Sequence, residues 1–149
     1  MKKINILLLT VILLISFNNL DAQIRKIPAT VTESLKQKYP DAANIEWKDK
    51  LTSFQANFNL AGDTYHSTFS NNGEWEQTDK PVVKEKLSTA VNDGFIKSKY
   101  SNWDISSIVQ TEYKDGHFEY RILVKKNDLS KKYLFFDEQG KLLRDARTI

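Results

Sequence analysis

The chain has no cysteine among its 149 residues, and it contains only two histidines, one methionine and three prolines. Without cysteine there is no disulfide framework, so a buried apolar core must hold the fold together. Neither His66 nor His117 has a His or Cys neighbour at a spacing typical of metal ligands. We therefore interpret both histidines as surface residues, and we expect no bound metal and no other cofactor.

Local motifs of catalysis are also missing. The sequence has no Gly-x-Ser-x-Gly, no Gly-x-x-x-x-Gly-Lys and no His-Glu-x-x-His. Acidic residues are plentiful, but a pair suited to acid–base catalysis can be chosen only from geometry. We therefore predict a protein that is not an enzyme. An envelope enzyme with a dispersed carboxylate site and a structural protein without a partner surface are the alternatives.

Neither sign of charge dominates the chain. The 22 Lys and Arg residues exceed the 19 Asp and Glu residues by only three, and the two signs are interspersed. Such a small and scattered excess does not predict a nucleic-acid partner.

The one long apolar run lies at the N terminus, over residues 4–17, and follows Lys2 and Lys3. Its 14 residues fall short of the roughly 20 that span a bilayer. Leu20 and Ala22 occupy the −3 and −1 positions of a cleavage site. We predict a signal peptide over residues 1–22 and a periplasmic or secreted domain over 23–149, without a membrane span or a cysteine for lipid attachment. A retained membrane anchor is the alternative.

Two segments carry apolar residues at helical spacing. The first helix is predicted over 28–39, between two prolines, and the second over 87–100. In the second segment Gly94 costs about 1 kcal/mol relative to alanine. The apolar residues at i, i+4 and i+8 are Val31, Leu35 and Tyr39 in the first helix and Leu87, Val91 and Phe95 in the second.

Most of the remaining chain alternates apolar and polar residues, which predicts antiparallel strands with one buried face. Asn72-Gly73 is the strongest hairpin signal, because a type I′ turn needs positive φ at both central positions. Eight strands are predicted, starting near residues 45, 54, 63, 74, 105, 117, 131 and 141.

The segments on either side of Pro81 repeat this pattern, over about 27–79 and 87–147. The matched pairs include Val31 with Val91, Leu35 with Phe95, Phe58 with Ile122, Phe69 with Phe136 and Gly73 with Gly140. The predicted fold is α+β, with two tandem helix-plus-four-strand units that form one curved antiparallel sheet and place both helices on one face. Chance similarity of two α+β stretches is the alternative.

Several of these motifs also match a known family. Ile-Pro-Ala-x-Val at 27–31, Lys-x-Lys-Tyr-Pro-Asp-Ala at 36–42, Ile-x-Trp at 45–47 and a Phe…Asn-Gly-x-Trp-Glu segment at 69–76 resemble the PepSY-like, β-lactamase-inhibitor-like family of secreted bacterial proteins. The second half departs from the pattern, since Leu87-Ser88 and Ser101-Asn102 lack the expected prolines. The resemblance implies tandem helix-plus-meander units like those of the β-lactamase inhibitor protein, and inhibition is implied only by that similarity of fold.

The outward residues of the second half are more apolar than those of the first. If Tyr120, Ile122 and Val124 face the core, a candidate partner-binding patch is formed by Leu123, Tyr133, Phe135 and Leu143, rimmed by Arg121, Lys125 and Lys131. The first-half counterparts are polar, namely His66, Thr68 and Glu76. We therefore predict a non-catalytic exported module that binds a protein or peptide, with inhibition as one form. The alternative is that both sheet faces are covered, because a one-residue slip inverts them.

The three tryptophans are either binding anchors or core residues. Trp75 follows a turn in the inward register, which favours the core. The sequence leaves Trp47 and Trp103 undecided.

Overall fold

The computed structural model describes residues 25–148, so the predicted signal peptide and its cleavage site lie outside the described residues. Over these residues the chain forms a helix and four strands, then a 3-10 turn, a second helix and four more strands. The helices are α1 (Ala29–Lys38) and α2 (Thr89–Ile96). The strands are β1 (Ala43–Asp49), β2 (Ser53–Leu60), β3 (Asp63–Ser70), β4 (Trp75–Pro81), β5 (Asp104–Tyr113), β6 (Phe118–Asn127), β7 (Ser130–Asp137) and β8 (Leu142–Arg147).

The eight strands make one antiparallel sheet in the order β1 to β8. Each strand pairs with its neighbours in the sequence, and short turns join strands within each half. The predicted α+β class, with one eight-stranded antiparallel sheet and two helices, is therefore confirmed. Neither helix within residues 25–148 has the length and apolar character needed to cross a bilayer.

Helix α1 agrees with the predicted segment to within one residue at each end. Val31 and Leu35 on its apolar stripe are fully buried against β2 and β3 side chains. Tyr39 ends the helix half-buried, and its hydroxyl lies 2.7 Å from the Thr78 hydroxyl of β4.

Helix α2 is shorter than the predicted range 87–100. It begins after Ser88, whose hydroxyl accepts a 3.3 Å hydrogen bond from the Val91 amide, as an N-cap does. It ends early because the Ser98 hydroxyl donates to the Phe95 carbonyl at 2.7 Å, a local bond that competes with helical pairing.

The buried apolar side chains form two clusters, one beneath each helix. The first contains Val31, Leu35, Phe54, Ala56, Phe58 and Phe69. The second contains Val91, Phe95, Tyr100, Ile108, Tyr120, Ile122, Val124, Leu134 and Phe136. Trp47 and Trp75 pack half-buried against the first cluster and Trp103 against the second, so all three indoles associate with the core.

Helix α2 and the β7–β8 turn approach so closely that only glycine fits at the contact. A Cβ on Gly94 would lie 1.9 Å from the Gly140 carbonyl oxygen, and a Cβ on Gly140 would lie 2.0 Å from the Ala90 oxygen. Gly94 lowers the helix propensity of α2, and this close packing is the reason that glycine is needed there.

Candidate functional site

The strands β5 to β8 have one side turned away from α2. Ile122, Val124, Leu134 and Phe136 pack with α2 in the second cluster, and the residues between them alternate to the opposite side. We call this opposite side the open face. Its central residues, read from strand pairing, are Val109, Thr111, Glu119, Arg121, Leu123, Tyr133, Phe135, Arg144 and Ala146.

Three of the four predicted patch residues lie together on the open face. Leu123 pairs directly with Tyr133, and Phe135 follows on the same side of β7. All three side chains are half-buried. Neighbouring side chains on the same face therefore cover part of each one.

Leu143 does not occupy the pairing position that strict alternation assigns to it. A β-bulge follows Leu142, so Arg144 is the residue that pairs with Phe135. Leu143 is the extra residue of the bulge and is 45 % exposed. Bulges of this kind leave one residue unpaired and change which side chain faces outward.

Arg144 is held between an acidic and an aromatic side chain. Its guanidinium donates two hydrogen bonds to the Glu119 carboxylate, at 2.8 and 3.2 Å, and its Cζ lies 3.7 Å from the centre of the Phe135 ring. The hydrogen bond to Glu119 raises the pKa of Arg144. A bidentate pair combined with ring stacking fixes the guanidinium in one orientation.

Arg121 forms a second, looser arrangement of the same type. Its Cζ lies 5.7 Å from the Tyr133 ring centre, and its Nη2 lies 3.6 Å from the Asp79 carboxylate on β4. The Thr111 hydroxyl donates to that carboxylate at 2.8 Å. The predicted patch is therefore a mixed surface in which arginines lie over aromatic rings, rather than a bare apolar one.

Only two of the three basic residues predicted to surround the patch lie at its edge. Lys125 and Lys131 pair at the end of the patch nearest the β6–β7 turn. Arg121 pairs with both Val109 and Phe135, which places it in the middle of the open face.

Tyr113 and His117 flank the β5–β6 turn. Their rings stack with centres 4.4 Å apart, and the His117 ring is paired with the Asp115 carboxylate. Burial raises the pKa of the Tyr113 phenol, and the nearby Glu119 charge acts in the same direction. His117 is exposed, as the sequence predicted.

The positions that the predicted repeat matches to this patch are polar. His66 and Thr68 alternate with the buried Ser67 and Phe69, so they point away from the first cluster. The His66 Nδ1 lies 2.7 Å from the Asn57 side-chain oxygen on the adjacent strand. His66 is half-buried, rather than fully exposed, because it packs in this row.

Three carboxylates near the open face have hydrogen-bond partners. Glu119 accepts from Arg144, Asp79 accepts from Thr111, and Asp137 accepts from the Lys141 amide at 2.8 Å. Within residues 25–148, no group of three His, Cys, Asp or Glu side chains is arranged to hold a metal ion. These carboxylates therefore help to fix the surface.

A match to a family profile shows which family the chain belongs to. The profile described as "Putative beta-lactamase-inhibitor-like, PepSY-like" matches residues 52–144, which is more than half of the chain. The chain belongs to this PepSY-like family. No curated protein matches the chain.

Solved structures show the same architecture as this PepSY-like chain. A DUF2874 family protein from Bacteroides ovatus is 27% identical with a TM-score of 0.77, covering 82% of this chain and 88% of its own. A BLIP-like protein from Bacteroides fragilis is 27% identical with a TM-score of 0.76, covering 85% and 89%. A structure named for "putative periplasmic proteins" from Bacteroides eggerthii is 24% identical with a TM-score of 0.76, covering 82% and 89%, and it shows the fold alone.

The PepSY-like match covers most of the candidate site. It begins before β2 and ends at Arg144, so it includes every central residue of the open face except Ala146. Of the motifs that carried the sequence resemblance, only the one at 69–76 lies inside the match. The position of Arg144 could not be read from alternation, because the bulge before it leaves no mark in the sequence.

Proposed function

We propose that this chain is a non-catalytic exported module that binds a protein or peptide through its open face. The observation that carries the proposal is the arginine–aromatic surface at Arg144, Phe135, Arg121 and Tyr133. Arginine and tyrosine are among the residues that dominate binding energy at protein interfaces. The description "BLIP-like", given to a similar structure, agrees with a binding protein.

The surface is ordered before any partner arrives. Glu119 is only 12 % exposed, and its bidentate contact holds the Arg144 guanidinium over the Phe135 ring. A side chain that is already immobilised loses less conformational entropy on association, which favours affinity. An isolated surface arginine would not offer this advantage.

We further propose that the two halves are tandem units, and three repeated irregularities support this. A bulge interrupts both the β3–β4 and the β7–β8 pairing. The turn glycine after β3 and the one after β7 each approach the preceding helix. The tyrosine after each helix reaches a polar residue on the last strand of its half, Tyr39 to Thr78 and Tyr100 to Asp145.

Strand pairing also supports the proposal that both helices lie on one side. Directly paired residues share a sheet face. The buried Ser67 pairs with Thr78, Thr78 pairs with Glu112, and Glu112 pairs with Phe118 of β6. Phe118 packs against the second cluster, so the chain of pairs joins both clusters along one face. The open face then continues into the polar row of His66 and Thr68.

The test compares matched pairs of substitutions at corresponding positions of the two halves. Tyr133→Ala with Phe135→Ala removes the aromatic rings, whereas His66→Ala with Thr68→Ala changes the same positions of the first half. Each protein is immobilised, exposed to native envelope extract, and any captured protein is then purified and titrated against it. We expect the first pair to abolish binding, the second to retain it, and both to keep a melting temperature near wild type.

Two results would contradict the proposal. Equal loss of binding and folding in the first pair would show that the rings belong to the core. Equal binding by both pairs would place the partner elsewhere. Inhibition is tested separately, by adding the protein to β-lactamase and following hydrolysis of a chromogenic cephalosporin. A hydrolase activity removed by Glu119→Gln and Asp137→Asn would instead favour the enzyme alternative.

A further inference from the structure

The tip of the β6–β7 hairpin exposes a leucine almost completely. Leu129 is 98 % exposed, more than any other large apolar side chain of residues 25–148. Its amide donates to the Asn127 side-chain oxygen at 3.1 Å, an Asx-type bond that holds the turn whatever the side chain at position 129. Neither the fold nor the turn therefore requires an apolar residue there.

Four lysines surround this leucine. The segment 125–132 contains four lysines and one aspartate, a local charge of +3. Lys125 pairs with Asp128 at 2.7 Å and Lys132 with Asp145 at 3.0 Å. Within the described chain, no carboxylate lies within 4 Å of the ammonium group of Lys126 or Lys131. The tip thus combines one protruding apolar side chain with a surplus of positive charge.

We propose that this tip docks on an anionic lipid surface, with Leu129 entering the interfacial region and the lysines facing the headgroups. Anionic membranes attract clustered basic residues, and an apolar side chain adds to that attraction when it leaves water. The contact would be weak and reversible, because one leucine buries little area.

The charge chemistry favours a bilayer over an acidic protein. All four cations of the segment 125–132 are lysines. Lys126 and Lys131, whose ammonium groups have no carboxylate within 4 Å among residues 25–148, act as mobile point charges suited to a diffuse field of headgroups. The open face instead uses arginines fixed by carboxylates, as protein recognition does. A single convex leucine would need a matching socket on a protein, whereas a bilayer interface needs none.

The experiment measures co-sedimentation with vesicles of residues 23–149, the form that remains after the predicted signal peptide is removed. One set contains phosphatidylglycerol and phosphatidylcholine in equal parts, and the other phosphatidylcholine alone. Leu129→Ser is compared with Leu51→Ser, because Leu51 is 83 % exposed in the β1–β2 turn and provides a matched control.

Binding is expected only with the anionic vesicles. Leu129→Ser should lower the apparent affinity about three- to tenfold, and Leu51→Ser should leave it unchanged. Lys126→Gln with Lys131→Gln should lower it about 25-fold, since each lysine near an anionic surface contributes about fivefold. Circular dichroism of each variant should match wild type, because these side chains are exposed.

The proposal is overturned if the protein does not sediment with anionic vesicles, or binds both vesicle types equally. It is also overturned if Leu129→Ser binds as wild type does. Binding to immobilised poly-L-glutamate without binding to vesicles would assign the tip to an acidic protein. None of these outcomes depends on the open face, so the proposed function is tested independently.

Discussion

Replacement of Gly140 by alanine should separate the helix from the sheet in the second half. Gly140 has a φ of +81°, and a Cβ there would lie 2.0 Å from the carbonyl oxygen of Ala90. Because real Cβ atoms essentially never approach closer than 3.0 Å, the contact must open by about 1 Å. That movement would loosen Val91 and Phe95, which are buried on the same helix.

The expected cost has two parts. An L-residue with left-handed φ costs about 1–2 kcal/mol, and forcing extra volume into a packed contact costs about 1–3 kcal/mol. Gly140→Ala should therefore lower the free energy of unfolding by about 2–5 kcal/mol. Gly116→Ala is the control, because its φ is +86° but no atom other than those of its chain neighbours lies within 4 Å of its added Cβ. Gly116→Ala should lower the free energy of unfolding by the backbone cost alone, about 1–2 kcal/mol.

The assay is urea unfolding followed by tryptophan fluorescence. A gap of about 1–3 kcal/mol between the two variants is the predicted steric cost. Equal losses would refute the reasoning, because both variants share the backbone cost. Gly94→Ala adds a check, since helix propensity alone predicts a gain of about 1 kcal/mol, whereas a Cβ 1.9 Å from the Gly140 oxygen predicts a loss.

Two other contacts give separate predictions. Thr78→Val should lower the free energy of unfolding in urea by about 1–3 kcal/mol. The Thr78 hydroxyl accepts a hydrogen bond from the Trp75 indole at 2.8 Å and lies 2.7 Å from the Tyr39 hydroxyl, and valine removes both contacts. A loss below about 0.5 kcal/mol would mean that these groups find other partners. Asp49→Asn should lower the urea midpoint at neutral pH but not in acid, because hydrogen bonding from Arg25 holds the pKa of Asp49 below its ordinary 3.8. That stabilisation is present above about pH 4 and is lost as the pH falls through the folded-state pKa, so a midpoint difference that persists in strong acid would contradict the assignment.

Local rules predicted the elements well where a residue has one dominant preference. The stripe of Val31 and Leu35 placed α1 to within a residue, and Asn72-Gly73 marked the position of the β3–β4 turn. The predicted type I′ turn was wrong, because only Gly73 has positive φ and the Gly73 amide donates to the Ser70 carbonyl, which makes Asn71 and Asn72 the central residues. Alternation predicted the buried sides of β2, β6 and β7, because a half-buried strand has a strict period of two. These signals are local and survive without tertiary context.

The remaining features depend on contacts between distant residues. No glycine or proline lies next to Leu143 to signal the bulge. The alternation pattern therefore did not predict the bulge and did not place Arg144 on the open face. The ring contact of Arg144 depends on Glu119, which lies 25 residues earlier on another strand. The orientation of Trp47 and Trp103 depends in the same way on what packs beside them. Sequence spacing alone carries none of this.

The simple order of the sheet has a consequence for the folding of a chain that we predict to be exported. Within residues 25–148, every hydrogen-bonded ladder joins strands that follow one another along the chain, so each strand can pair with the preceding one as soon as it emerges. No crossover has to wait for a distant segment, and no oxidation step has to lock the product. A polypeptide threaded unfolded through a membrane pore could therefore assemble progressively on the far side, with little time for wrong partners to capture its exposed edges.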